Sequence, residues 1–140
     1  MSAPLWAQRI ITTVCEEEGI EEPTVNWRRR GKKWYATMEG MVQRQPAMSS
    51  GRTGKRDITV TAGGNSEDRR LVFYHELAHY VEMNTGDDNS RHDATFFARV
   101  FTYVKRFGYC TMRWAKYREY DYRIAAKAGY RQFRKEQKGS

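Results

Sequence analysis

Residues 75–79 read His75-Glu76-Leu77-Ala78-His79, two imidazoles four positions apart with a carboxylate directly after the first. On an α-helix, positions four apart lie on one face, one turn above the other. Both rings can then reach a single metal ion, which helical spacings of two or five would not allow. Glu76 lies beside the first ligand on the metal side, where its carboxylate can take a proton from a metal-bound water. Three fixed positions recur by chance in roughly one chain in a few hundred of this length, so the surroundings must carry the reading. They do. The one remaining histidine, His92, comes thirteen residues after His79, with Gly86 and a short loop between them to turn the chain back. Three protein ligands with a fourth position open to water is the arrangement of catalytic zinc, and all-imidazole ligation suits that metal. The expected ligands are His75, His79 and His92, the expected cofactor is Zn2+, and Glu76 is the expected general base.

Other acids compete for the metal. Glu82 follows His79 by three residues, but its side chain would have to bend back across its own turn. Asp87 and Asp88 reach more easily, although a solvated acidic loop is the commoner meaning of such a pair. An EF-hand is excluded, because Asp87, Asn89 and Arg91 break its ligand alternation and no closing glutamate appears. Gly51-Arg52-Thr53-Gly54-Lys55-Arg56 fails as a phosphate-binding loop, since its first glycine is misplaced and Arg56 stands where Ser or Thr is needed. Tyr74, Tyr80, Tyr103 and Tyr109 are available to stabilise an oxyanion, and nothing in the sequence orients any of them.

The elements that must hold these residues follow from periodicity. The active-site helix is capped by Asn65 or Ser66, carries Glu67 and Asp68 in its first turn, and runs to about Asn84, where Gly86 ends it. Leu71, Val72, Leu77, Ala78 and Val81 give it a core-facing side. A second helix opens near Asp93 and places Phe97, Val100, Phe101 and Val104 in one stripe before Gly108. Upstream, Pro4 suits the first turn of a helix that buries Trp6, Ile10, Val14 and Thr13 and stops at Gly19. Thr24–Trp27 and Lys33–Met38 are β-prone runs around Gly31, which predicts a hairpin. Gln43 to Lys55 is a loop by composition, and Asp57 to Ala62 a short strand. Thr111 to Lys138 is helix-prone, with Trp114, Tyr117, Tyr120, Tyr122, Tyr130 and Phe133 among basic residues.

At 140 residues the chain is long enough to bury a core as one domain. It contains no apolar run that could span a bilayer and no signal-peptide pattern. Cys15 and Cys110 form neither a disulfide scaffold nor a four-cysteine zinc ribbon, which places the protein in a reducing cytoplasm. The net charge of +8 is unevenly placed: residues 1–98 carry −1 and residues 99–140 carry +9. A cationic C-terminal third favours a polyanion such as DNA or RNA through counterion release; its bland alternative is a solvated helix surface.

His75-Glu76-Leu77-Ala78-His79 followed by His92-Asp93-Ala94-Thr95-Phe96 resembles the SprT-like zincin pattern. There a His-Glu-x-x-His helix is paired with a later His-Gly-x-x-Phe motif opening the next helix. It also resembles small metallohydrolase-like proteins of actinobacteria and their phages. The likeness covers about residues 57–104. It implies zinc on His75, His79 and His92, Glu76 as base and Phe96 as a packing residue. Asp93 stands where the family has glycine, as a helix cap, a partner to a ligand histidine or a change in substrate access. The cysteine-rich zinc ribbon of longer members is replaced by the basic aromatic segment.

The expectation is therefore an α+β, zincin-like domain spanning 1–140, with a core of about 1–108 and a basic helical extension of about 109–140. A short antiparallel sheet would pack against the active-site helix. It would be a zinc-dependent metallopeptidase acting on a peptide or protein, with the edge of the strand Ile58–Ala62 pairing with an extended substrate. The alternative is a nucleic-acid-binding or phage interaction protein whose metal site is structural or vestigial. The sequence leaves the oligomeric state open and shows no membrane role.

Overall fold

The computed structural model describes residues 2–29, 50–62, 66–119 and 123–139. Among them lie five helices and three strands: α1 (Leu5–Glu18), β1 (Thr24–Arg29), β2 (Ser50–Thr53), β3 (Asp57–Ala62), α2 (Ser66–Thr85), α3 (Ala94–Phe107), α4 (Met112–Glu119) and α5 (Ile124–Lys138). The class is α+β. None of the described helices is long and apolar enough to cross a membrane.

Helix α1 buries Ala7, Ile10, Ile11 and Val14, the i, i+3, i+4, i+7 set that a helix needs to dock one face. Pro4 is its N-cap rather than part of its first turn, and Gly19 closes it in the left-handed conformation (φ 68°), which its lack of a Cβ permits. Trp6 packs edge-on against both Trp27 and Phe73, tying α1 to the sheet and to α2.

The sheet is mixed, with strand order β1-β3-β2. β2 pairs antiparallel with β3, but β1 runs parallel to it, Val25 opposite Ile58 and Trp27 opposite Val60. This corrects one expectation: the sheet is not purely antiparallel. One edge of β1 is taken by β3; Lys33–Met38, the other arm of the predicted hairpin, lies outside the described residues. The physical reason is the alternation of side chains along a strand. Val25, Trp27, Ile58 and Val60 form one row; Ile58 and Val60 are completely buried beneath α2, and Trp27 is buried against Trp6 of α1.

A second correction concerns Gln43–Lys55. Residues 50–53 form a strand rather than loop, the outer one among the described strands, because β3 supplies the backbone partners that their polar composition does not advertise. It follows that β3 is the central strand. Both of its edges are paired, so the edge of Ile58–Ala62 cannot receive a substrate as expected; among the described strands next to α2, that edge belongs to β2.

Helix α2 runs through the middle, against the sheet, α1 and α3. Residues on several of its sides are therefore buried, among them Leu71, Phe73, Tyr74, Leu77, Ala78 and Val81. In α3 the anticipated stripe of Phe97, Val100, Phe101 and Val104 is fully inside. The basic C-terminal third is helical, as expected, yet it is packed rather than appended. Phe133 and Ala126 of α5 join the same apolar cluster as α1 and α2. At Gly129 the α5 backbone comes so close that an added Cβ would lie 2.5 Å from the Phe97 Cβ and 2.8 Å from the Ala94 carbonyl. Across the 108 boundary, Trp114 Nε1 donates to Asp68 and the Thr111 amide to Glu67.

Candidate metal centre

His75 and His79 project from one face of α2, one turn apart. His92 reaches them from the residue before the cap of α3. Asp93 is that cap: its backbone is extended and its carboxylate accepts from the Phe96 amide at 2.9 Å. Of the three meanings open for Asp93, the structure places it in the first. The cap sets where α3 begins, and so brings Phe96 beneath the cluster. The Phe96 ring is fully buried, with centroids 4.2, 4.8 and 5.3 Å from those of His79, His75 and His92. It is the packing residue that the resemblance implied.

The Nε2 atom of His92 lies 3.0 Å from Nε2 of His75 and 3.0 Å from Nε2 of His79. Donors held at about 2.0–2.1 Å by one tetrahedral zinc sit about 3.4 Å apart, so the cluster has the right donors at nearly the right spread. The other ring nitrogens decide the tautomers. Nδ1 of His75 faces both oxygens of Glu119 at 3.2 Å; a carboxylate only accepts, so Nδ1 carries the proton and Nε2 its lone pair. Nδ1 of His79 lies 2.9 Å from the Ser90 hydroxyl, which donates its own proton to Glu82 at 2.7 Å. His79 must therefore donate to Ser90, and its Nε2 lone pair also points into the cluster. Lone pairs converging in this way repel one another unless a proton or a cation sits among them.

The competing acids do not join. Glu82 supports His79 through Ser90, Asp87 accepts from the Asn89 amide, and Asp88 pairs with Lys55 at 2.8 Å. Among the described residues, the three histidines form the one group of His, Cys, Asp or Glu side chains poised to share a metal.

Glu76 is buried, and with the three histidines it lines a cavity of about 520 Å³. A smaller cavity of about 260 Å³ adjoins it, sharing Gly51, His75 and Glu76. Burial raises the Glu76 pKa above the usual carboxylate range, against the lowering effect of a hydrogen bond from Thr53. A more basic carboxylate suits proton abstraction. Burial also opposes a charge on His75, but the Glu119 hydrogen bond and charge outweigh it and lift its pKa. His79 is driven down to about 3 by burial and then by His75 and His92, and His92 is lowered for the same kind of reasons. A single cation on the cluster is favoured, and a second is not.

None of the four tyrosines weighed for an oxyanion lines either cavity. Tyr74 donates to the Gly108 carbonyl, Tyr80 to the Glu21 carbonyl, Tyr103 is buried, and Tyr109 stacks on Arg70.

Sequence reading missed Glu119, Ser90, Gly51 and Thr53. Glu119 had a signal, being one of only three acids among residues 99–140. Its role predicts a measurable cost. Glu119→Ala is expected to weaken zinc binding by about 10–100-fold, because the His75 ring loses the partner that fixes its tautomer and orientation. Competition against a chromophoric chelator measures this, and an unchanged affinity would remove Glu119 from the site.

Compared with models of known protein families, with curated proteins and with solved structures, the chain finds no match.

Proposed function

We propose that this protein is a zinc-dependent hydrolase of the zincin-like type that cleaves peptide bonds. The observation that carries the reading is the convergence of three Nε2 atoms, two of them with lone pairs set by occupied Nδ1 atoms, in one cavity with a buried glutamate. A structural histidine cluster has no need of an adjacent base.

His75, His79 and His92 would hold the ion. When bound, zinc supplies Lewis-acid polarisation of a carbonyl and lowers the pKa of water. Glu76 then takes the proton of the attacking water and passes it to the departing amine nitrogen, so the carboxylate ends as it began. Phe96 keeps the imidazoles packed from below. Glu119 and the Ser90–Glu82 pair hold two of them in the tautomer that turns the Nε2 lone pair toward the ion. β2, the outer one among the described strands and beside Glu76, would offer backbone groups to an extended peptide, which favours a polypeptide over a compact substrate.

The test is cleavage of a disordered protein, casein, by the full chain loaded with zinc. Cleavage should vanish on chelation and return when zinc is restored. Retention of activity after complete metal removal, or no cleavage by the loaded protein, would overturn the reading.

A second reading is favoured by a specific surface. A cavity of about 520 Å³ beside the ends of α3 and α5 is lined by Lys105, Arg134, Lys138, Tyr130 and Phe133, with no acidic side chain. Cations around an aromatic floor suit single-stranded nucleic acid, with phosphates on the rim and a base against the ring. Oligonucleotide binding should then weaken with salt by about 0.7 log units per phosphate neutralised for each tenfold increase. Neutralising Arg134 and Lys138 should flatten that slope, and an unchanged slope would leave these cations as a solvated face.

A further inference from the structure

We propose that Gly51 and Thr53 are positioning residues for Glu76, which makes the strand β2 part of the apparatus that activates water. The inference rests on the hydrolase reading above. It begins with the side-chain row of the sheet. Gly51 is opposite Val60 and Thr53 opposite Ile58, so both belong to the row that faces α2. Their β3 neighbours in that row are fully buried aliphatic residues. An edge strand continuing such a row would ordinarily carry further aliphatic side chains. Here it carries a glycine and a threonine, at the two positions where Glu76 lies against it.

Each has a distinct physical task. A Cβ built at Gly51 would come within 2.5 Å of the Glu76 Cγ, 2.9 Å of its Cδ and 2.9 Å of a Val72 methyl. No larger residue fits unless the Glu76 side chain moves. Glycine therefore lets the strand close over the methylenes and hold the carboxylate in one place. Two positions along, the Thr53 hydroxyl donates to Glu76 Oε1 at 2.5 Å. The Glu76 carbonyl is also near, at 3.2 Å, but one proton serves the shorter, charge-assisted bond. Threonine has few χ1 choices, and its strand pairing fixes the backbone from which it reaches. With Oε1 gripped, Oε2 is the oxygen left to accept a proton. Val72, a turn before Glu76 on α2, meets the strand at the same glycine.

The same strand is the outer one among the described strands, so a substrate strand paired with it would register against the backbone that aims the base. Aiming the base through β2 differs from building the metal site, to which β2 contributes no ligand.

The experiment compares the zinc-loaded full chain with Thr53→Val and Thr53→Ser, with Gly51→Ala as a second probe of the same contact. Thr53→Val keeps shape and removes the donor. It is expected to lower kcat by about tenfold or more with KM and zinc affinity unchanged, and Thr53→Ser should restore most of the loss. Gly51→Ala should also lower kcat while retaining zinc. A readout independent of turnover is the carboxyl resonance of Glu76 in protein carrying 13C-labelled glutamate, assigned by its disappearance in Glu76→Gln. At constant pH it should move in Thr53→Val and return in Thr53→Ser. Unchanged kcat and resonance in Thr53→Val would overturn the proposal while leaving the hydrolase reading intact. So would a parallel fall of zinc affinity and kcat, which would mark Thr53 as merely structural. If the parent cleaves nothing yet the resonance responds as expected, the hydrolase reading is what fails, and the grip of Thr53 on Glu76 stands.

Discussion

Glu76→Gln is expected to bind zinc as tightly as the parent and to lose hydrolysis by about 10²–10⁴-fold, the range over which a positioned general base contributes. The amide keeps the length and shape of the side chain. It still fits beneath Gly51, and its carbonyl oxygen can still accept from Thr53. What it lacks is an oxygen able to take a proton. The metal ligands are unaffected, since Glu76 is not one of the three converging donors. Single-turnover and steady-state cleavage of casein by the purified variant, with zinc content measured on the same sample, make the comparison. A variant that cleaves as fast as the parent would show that Glu76 is not the base. One that loses its zinc would show that Glu76 does part of the ligating.

His92→Ala should produce the largest loss of metal, exceeding the 10–100-fold cost of removing an outer partner. It deletes the imidazole whose Nε2 lies 3.0 Å from both of the others. Asp87→Asn and Asp88→Asn should leave affinity as it is, because those acids are engaged in the loop and with Lys55. Zinc bound only to the folded chain raises its unfolding temperature by mass action, so thermal unfolding with and without zinc gives a second measure. The zinc-induced rise seen in the parent should be nearly absent in His92→Ala. Equal affinity in that variant and the parent would reopen the carboxylates as ligands. The pH dependence has a definite sign. Metal requires neutral imidazoles, and His75 is the ring whose pKa is raised above 6.5 by Glu119. Affinity should be full above that raised pKa and fall as the pH drops through it. His79, already held near 3, should add no further loss near neutrality.

The centre was legible in the sequence because its main geometry is helical. A spacing of four residues puts His75 and His79 on one face wherever the helix lies, and Glu76 comes beside them automatically. Asp93 is a second local device: its capping carboxylate fixes the start of α3, and with it the place of Phe96, within four residues of chain. The stripes of α1 and α3 and the stops at Gly19 and Gly108 are local in the same way. They depend on periodicity and on φ near 70°, which glycine adopts freely.

What the tertiary structure alone decided is everything that depends on which distant segments meet. Glu119 reaches His75 across forty-four positions, and Thr53 reaches Glu76 across twenty-three. Glu119 stands out only as a rare acid among basic residues and Thr53 not at all, so no window of sequence says which side chain either one serves. The direction of β1 was equally hidden. Alternating side chains satisfy a parallel or an antiparallel partner alike, and it is the burial of Trp27 in one row with Ile58 and Val60 that goes with β3 as neighbour. The polar run at 50–53 is a strand only because β3 offers it hydrogen bonds and α2 leaves room for a glycine and a hydroxyl. The basic helices look like a detachable tail in composition, yet Phe133 is buried and Gly129 lies against α3. Helical periodicity is written into consecutive residues by the 3.6-residue turn, whereas strand partners and the groups behind metal ligands are selected by burial, which exists only once the chain has closed on itself.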